Sequence, residues 1–219
     1  MKKFLVVTLF LFSTQLFGTP NEKFVTVSLP HGVSLEIPRL YRVLSQKESE
    51  LIDTATQSIV DLAGVDPVTY NKPFSANYFI DNKTVSIVNI LYYPDIEFTQ
   101  ADIANFTPED IDEVDNYLRE SNSDAYKSMS SSVLEWYGTE RVKLNGLHAL
   151  RTSFFRDKIG KSQSSVVTFI RVISAEESFN LTFSYQKSLE FFLKPITERM
   201  IMSVKKNQSV SEAIISRLE

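Results

Sequence analysis

The dipeptide Asn145-Gly146 is the feature that most restricts the fold of this chain. It lies between two segments in which apolar and polar residues alternate, SVLEWYGTERVKL and LHALRTSFFRD. Both central residues of a type I′ hairpin turn require positive φ, which asparagine and glycine tolerate better than other residues. The dipeptide therefore predicts an antiparallel hairpin with a tight turn.

The same turn predicts a register for the hairpin. If Leu144 lies opposite Leu147, every other cross-strand pair is set. The expected pairs are Val142 with Ala149, Glu140 with Arg151, Trp136 with Phe155, and Glu135 with Arg156. Two of these pairs join opposite charges and one joins aromatic rings, and each such pair stabilises a sheet by roughly 0.2–1 kcal/mol.

Segments before this hairpin predict further elements. FVTVSLPHGVSLEIP alternates on both sides of Pro30-His31-Gly32, which predicts a short hairpin. Ser45 and Glu48 have the spacing of a capping box, and the helix that they open is expected to end at Ala63. FSANYFI and TVSIVNILYY predict two strands, and Thr107 is expected to cap a second helix.

Segments after the hairpin complete the predicted sheet. SSVVTFIRVIS is almost continuously apolar, as expected of an interior strand that is covered on both faces. SFNLTFSY alternates, and after Tyr185 the period becomes helical, with Pro195 expected to start or kink the final helix. This order predicts an α+β fold with a mostly antiparallel sheet of about six strands.

The number of residues in the turn before SFNLTFSY decides which residues of the preceding strand lie on the same face of the sheet as its polar row. An even number of turn residues places the polar row on the face of Arg171, and an odd number exchanges the partners. The polar row is Asn180, Thr182 and Ser184. We expect the first register, in which the polar row and Arg171 form a small polar patch that could bind a ligand or a partner. A scaffold role is nevertheless the favoured interpretation of the row.

The N-terminal segment MKKFLVVTLFLFSTQLFG has the pattern of a secretory signal peptide. Lys2 and Lys3 precede an apolar run that is shorter than the about 20 residues of an ordinary membrane span. We expect a signal peptide at 1–18, a single domain at 19–205, and a tail at 206–219 that could form a helix. An uncleaved anchor is the alternative, and after cleavage no stable membrane span is expected.

The composition limits the cellular locations and the classes of partner that we expect. The chain has no cysteine, which excludes disulfides, thiol catalysis and a lipid anchor on cysteine. An exported chain that relies on its apolar core fits a bacterial periplasmic or secreted location. Loss of the two signal lysines takes the formal net charge from −4 to −6, so nucleic acid is not an expected partner. The sequence sets no oligomeric state.

Four stretches between roughly Phe24 and Lys205 resemble one family. VSLEIPRLY, VKLNGLHALRTSFFR, VVTFIRVISAEESFNLTFSY and KPITERMIMSVK are similar to the PsbP-like superfamily. This superfamily includes the extrinsic oxygen-evolving subunit of photosystem II, a yeast Ran-binding nuclear-import factor and bacterial envelope proteins such as DcrB. The chain departs from the family pattern at Tyr41, where tryptophan is expected.

The resemblance implies an α/β/α sandwich and a function that is generally non-enzymatic. Members of the superfamily act as accessory, chaperone-like or docking proteins. No residue of this chain matches a metal-binding set that could be carried over, so the resemblance does not imply a photosynthetic role. Neither a metal nor another cofactor is expected.

Catalytic motifs are absent from the sequence. His31 and His148 lie in or beside predicted turns, and neither belongs to a nucleophile motif of the GxSxG type. The acidic run from Glu109 to Asp115 lacks the glycine and the ligand spacing of an EF-hand loop, and acids in a first helical turn complement the helix dipole. GxGxxG and P-loop motifs are absent as well. We therefore expect a protein that is not an enzyme.

Seven residues are candidates for binding a ligand or a partner: Arg171, Asn180, Thr182, Ser184, Glu140, Arg151 and Trp136. Arginine on an apolar strand needs a charged partner and could instead recognise an anionic ligand. A cross-strand ion pair is the favoured interpretation of Glu140 and Arg151. Trp136 could anchor a partner, because tryptophan is enriched in binding hot spots, but core packing against the neighbouring phenylalanines is favoured.

These observations give three functional hypotheses. The first is an exported, non-catalytic accessory module that docks on another envelope protein. The second is a carrier or chaperone for an apolar ligand or a membrane-associated segment, with an aromatic-lined cleft between the sheet and a helix. The third, a hydrolase, is the least supported, because it needs titratable groups that converge in one pocket.

Overall fold

The structure is a computed structural model, and it describes residues 23–29, 32–45, 71–93, 98–160, 162–173 and 178–206. Several predictions fall outside these residues: the signal peptide at 1–18, positions 46–63 of the first helix, the turn at His31, and positions 207–219 of the tail. The turn formed by Ala175, Glu176 and Glu177 lies outside them too. These features stay predictions.

A large antiparallel sheet of seven strands dominates the described part of the chain, with the spatial order β3-β4-β5-β9-β8-β7-β6. Its strands are β3 (Arg42–Val43), β4 (Asn71–Ile80), β5 (Lys83–Tyr93), β6 (Val133–Leu144), β7 (Leu147–Arg156), β8 (Ser165–Ile173) and β9 (Ser178–Gln186). The long strands are those that the sequence predicted. The expected number of about six is corrected by β3, whose two residues are too few to show alternation.

A second, three-stranded sheet was not foreseen as a separate unit. The predicted first hairpin forms from β1 (Phe24–Ser28) and β2 (Val33–Pro38), and β10 (Lys205–Lys206) pairs with the other edge of β2. β1 and β2 are antiparallel, with Phe24 opposite Pro38. The sequence predicted this hairpin correctly, but no local pattern indicated which sheet it would join.

Helices cover both faces of the large sheet. Helix α1 (Gln100–Asn105) and helix α2 (Pro108–Ser128) pack on one face, over β7 and β6. Helix α3 (Glu190–Met202) and the small sheet pack on the other. The predicted cap is present at Thr107, whose hydroxyl accepts a hydrogen bond from the Asp110 amide. Pro195 lies inside α3, so it does not start the helix.

The alternating residues of β9 define the two faces of the large sheet. Leu181 lies opposite Ile170 of β8, and Asn180 lies opposite Arg171. The expected register of this pair is therefore confirmed. The face of Phe179, Leu181 and Phe183, called the core face below, carries the main apolar core, and these three side chains are at most 1% exposed. The face of Asn180, Thr182 and Ser184 is called the second face.

The register predicted from Asn145-Gly146 holds near the turn and fails beyond Gly138. Glu140 pairs with Arg151 as predicted. Gly138 has a φ of 101°, and the strand bulges there, so that Tyr137 has no partner on β7. The pairs of Trp136 and Glu135 are shifted by one residue, and a second irregularity between Glu135 and Val133 adds another, so that Val133 lies opposite Arg156.

Two predicted pairs are therefore wrong. Trp136 lies opposite Phe154 and not Phe155, and Glu135 lies opposite Phe155 and not Arg156. The shift carries the indole ring to the second face, where it stacks on Phe154 with ring centroids 5.4 Å apart. An isolated glycine inside a strand pattern is the signal that could have indicated the bulge.

Tyr41, the position at which the sequence departs from the family pattern, is a buried member of the main core. Its hydroxyl donates a hydrogen bond of 2.7 Å to Ser86 Oγ, and its ring stacks on Tyr78 with centroids 5.7 Å apart. Burial raises the pKa of Tyr41 to about 12 from an ordinary value of 10.0. A tyrosine is accommodated here because its polar end has a buried partner.

We expect Gly138→Ala to lower the free energy of unfolding by about 1–3 kcal/mol, because alanine is strained at this φ. Urea unfolding followed by Trp136 emission measures the change. Glu135→Ala, an exposed change on the same strand, is the matched control and should have little effect. Equal stability of the two variants would show that the bulge does not require glycine.

Tyr41 should make the protein less stable at alkaline pH. Its folded pKa lies above its unfolded pKa, so its contribution is complete below pH 10 and is lost as the pH rises towards 12. The expected loss is about 1.4 kcal/mol for each pH unit in this window. Tyr41→Phe should show a shallower decline in urea unfolding between these pH values, and an unchanged slope would contradict the assignment.

Candidate functional site

The seven predicted site residues do not form one site, because they lie on opposite faces of the sheet. Glu140 and Arg151 belong to the core face, beside α3. The others belong to the second face: Trp136, Arg171, Asn180, Thr182 and Ser184. Each face has a pocket of its own.

Arg151 is held mainly by a residue that the sequence did not indicate. Its guanidinium donates two hydrogen bonds to the Glu198 carboxylate of α3, one of them at 2.9 Å from Nη1 to Oε2. Glu140 is a secondary partner, at 3.7 Å from the Arg151 Nε. The predicted cross-strand pair therefore exists, but the stronger contact joins the sheet to α3. A bidentate pair of this kind fixes geometry.

A polar pocket of about 510 Å³ lies beside this ion pair on the core face. Lys187 spans its wall, donating to Glu190 Oε2 at 2.7 Å and to the Tyr137 hydroxyl at 3.2 Å. The hydrogen bond with Glu190 raises the pKa of Lys187 and lowers that of Glu190. Both groups are thus held in their charged forms, which is typical of structural ion pairs and unsuited to proton transfer near neutral pH.

An aromatic cleft of about 460 Å³ lies on the second face, between the sheet and α2. Its wall is mostly apolar, formed by Phe98, Phe106, Val114, Tyr117, Leu150 and Phe169. Tyr117 is 70% exposed, so one side of the cleft opens to solvent. Pockets of this size and character bind small apolar ligands in many proteins.

Helix α1 builds one end of the aromatic cleft. Thr99 and Asp102 form a capping box that starts the helix, and the ring of Phe106, just after the helix, meets Phe98 edge to face at 5.3 Å. The side chain of Gln100 accepts from the His148 amide at 2.7 Å, and Arg141 donates to the Phe106 carbonyl at 3.2 Å. Polar side chains thus tie a short helix to β7 and β6.

Helix α2 forms the outer wall of the cleft, and Trp136 holds it. The indole Nε1 donates to both carboxylate oxygens of Asp115, at 2.9 Å and 3.0 Å. Phe154, on which the indole stacks, also contacts Phe169 of the cleft wall, with ring centroids 5.5 Å apart. The favoured prediction for Trp136, packing within the fold, agrees with these contacts.

Only part of the predicted polar row reaches the aromatic cleft. Arg171 and Asn180 are cross-strand neighbours, and both line it. Thr182 and Ser184 continue the row along β9 and are absent from the lining. The Oδ1 atom of Asn180 is buried and has no hydrogen-bond partner.

Sequence reasoning missed the aromatic residues contributed by the α1 region. The segment FTQADIANFTPED contains the pattern Thr-x-x-Asp twice, at Thr99 and at Thr107, and each copy forms a capping box. The first copy is hard to recognise from the sequence because the helix that it starts has only six residues. Recognising both would have placed Phe98 and Phe106 at the ends of a helix.

The described residues contain no group of three or more histidine, cysteine, aspartate or glutamate side chains arranged to hold a metal ion. Within the same residues, no helix is both long enough and apolar enough to span a bilayer.

Comparison with known proteins identifies the fold. No protein-family model matches the chain, and no curated protein is significantly similar to it. Among solved structures, the chain is similar to the cyanobacterial PsbP protein CyanoP from Synechocystis, with a TM-score of 0.55 and 9% identity over 87% of this chain and 96% of CyanoP.

A second solved structure is less similar. LpqN of Mycobacterium tuberculosis, which is involved in cell envelope biogenesis, matches with a TM-score of 0.43 and 13% identity over 86% of this chain and 92% of LpqN. The assignment therefore rests on CyanoP and concerns the fold alone. With its two sheets and its helices on both faces of the larger one, the chain has a PsbP-like fold.

Proposed function

We propose that this chain is an exported, non-catalytic accessory protein of the cell envelope that binds an apolar ligand in the aromatic cleft. The observation that carries the proposal is the cleft itself, an apolar space of about 460 Å³ between α2 and the sheet. Export is supported by the N-terminal sequence pattern.

The contrast between the two faces supports a binding role. On the core face, a continuous apolar cluster that includes Leu181, Phe183 and Met200 forms the core, and the pocket that remains beside it is polar. The second face instead leaves aromatic side chains around an open space. Because burying apolar surface is favourable by about 25 cal/mol per Å², an apolar ligand that covers this wall would gain free energy.

The chemistry of the polar pocket supports a function without catalysis. Arg151 is paired with Glu198, and Lys187 is paired with Glu190. Catalytic acids and bases need pKa values near the working pH, but the pKa values of Lys187 and Glu190 are displaced away from it, in opposite directions.

A second candidate function, docking on another envelope protein, is favoured by the outer side of α3. Phe191 is 89% exposed and Met202 is 58% exposed. A helix turns about 100° per residue, so these two positions lie on the same side of α3. The two side chains lie at opposite ends of α3 and would contribute apolar contacts to a surface that extends along the helix.

Ligand binding in the aromatic cleft can be tested with N-phenylnaphthylamine, a neutral apolar dye whose emission rises in apolar surroundings. We expect saturable binding to the purified protein, together with a change in the emission of Trp136, which contacts the cleft wall through Phe154. Val114 and Leu118 of α2 both line the cleft. The double variant Val114→Phe/Leu118→Phe fills the cleft and should weaken binding about tenfold or more.

The matched control for this experiment is Asn116→Phe, which adds a ring at an exposed position of the same helix. It should bind the dye as the unmodified protein does. Circular dichroism of all variants checks that the helices are intact. Equal binding by the double variant and the control would place the dye elsewhere and reject the cleft as the site.

Docking through α3 can be tested by crosslinking in cells of the source bacterium. We expect a specific crosslinked partner that is lost in Phe191→Ser/Met202→Ser and retained in Leu134→Ser, where the exposed apolar residue lies on β6. Retention of the same partner by the α3 variant would exclude this surface. Repeated failure to find any partner would count against docking altogether.

A further inference from the structure

Asn180 brings an unpaired hydrogen-bond acceptor to the aromatic cleft. This asparagine lines the cleft at its sheet side, and its Oδ1 atom is buried without a hydrogen-bond partner. Buried acceptors are almost always paired with a donor in folded proteins, because an unpaired one loses its hydration without compensation. Asn180 therefore brings to the lining of the cleft a side chain whose acceptor lacks a donor.

The charges of the cleft wall restrict the ligand further. Among the residues that the structure describes, two carboxylates, Asp110 and Glu113, line the cleft together with one guanidinium, that of Arg171. Hydrogen bonds from the backbone amide and hydroxyl of Thr107 lower the pKa of Asp110, so this carboxyl group is ionised at neutral pH. The wall therefore has a net negative charge, which disfavours an anionic head group.

We propose that the natural ligand of the cleft is a small apolar molecule with a neutral hydrogen-bond donor, such as a hydroxyl or an amide N–H, which it gives to Asn180 Oδ1. The apolar body packs against Phe98, Phe106 and Phe169. This inference rests on the proposed function, because it names the class of ligand that the same cleft binds.

Asn77 provides a matched control within the protein. Its Oδ1 atom is also buried without a partner, and it lies on the same face of the sheet, on β4. It does not line the aromatic cleft. Replacing either asparagine with leucine removes an unpaired acceptor, but only the change at Asn180 alters the cleft.

The test compares three compounds with the same alkyl chain, decanol, decyl methyl ether and decanoate, as competitors that displace N-phenylnaphthylamine. Decanol donates a hydrogen bond, the ether is neutral and only accepts, and decanoate is anionic. For the unmodified protein and for Asn77→Leu, we expect decanol to bind about tenfold more tightly than the ether, with decanoate weakest. Asn180→Leu should bind decanol and the ether equally.

Asn180→Asp keeps the acceptor and adds a negative charge, so it should keep the preference for decanol and reject decanoate more strongly. Urea unfolding checks folding, and both leucine variants should be at least as stable as the unmodified protein, since each loses an unpaired buried acceptor.

Equal binding of decanol and the ether by the unmodified protein would overturn this inference but leave the proposed function standing. A preference that survives in Asn180→Leu would overturn it too, whereas failure of all three compounds to compete would overturn the proposed function as well.

Discussion

The pairing of β8 with β9 is the contact on which the rest of the structure depends. Ile170 lies opposite Leu181 in the middle of the large sheet, and both are fully buried. Because side chains alternate along a strand, this single register sends Phe183 to the core and Asn180 to the second face. A shift by one residue would bury the polar row against α3 and place the phenylalanines on the second face. The register of β8 and β9 therefore determines both which side chains form the core and which border the aromatic cleft.

The sequence predicted what depends on local alternation and turn chemistry. The turn at Asn145-Gly146 gave the correct pairs as far as Glu140 with Arg151, and the PsbP-like resemblance agrees with the observed fold. The error at Trp136 has a physical cause, since a bulge changes the register without changing the alternation on either side of it. Gly138 indicated the bulge, but the alternation of apolar and polar residues, from which the register was predicted, does not depend on a glycine.

The residues that line the two pockets were beyond a local analysis of the sequence. Glu198 meets Arg151 across 47 positions, and Arg141 reaches the end of α1 from a strand more than 30 positions away. An empty space is set by how elements are placed relative to one another, and no residue type indicates it. The polar row was nevertheless a useful indication, because Asn180 lies where the second face borders the cleft.

The way in which α1 is attached has a consequence for the route into the cleft. This helix buries only one of its residues, Ile103, and the side chains of Gln100 and Arg141 supply the other ties to the sheet. A segment with so few buried apolar contacts opens at a lower free energy than the strands beneath it. We expect its amides to exchange with solvent deuterium independently of the core. Opening of α1 would expose the end of the aromatic cleft that Phe98 and Phe106 form, while the sheet remains folded.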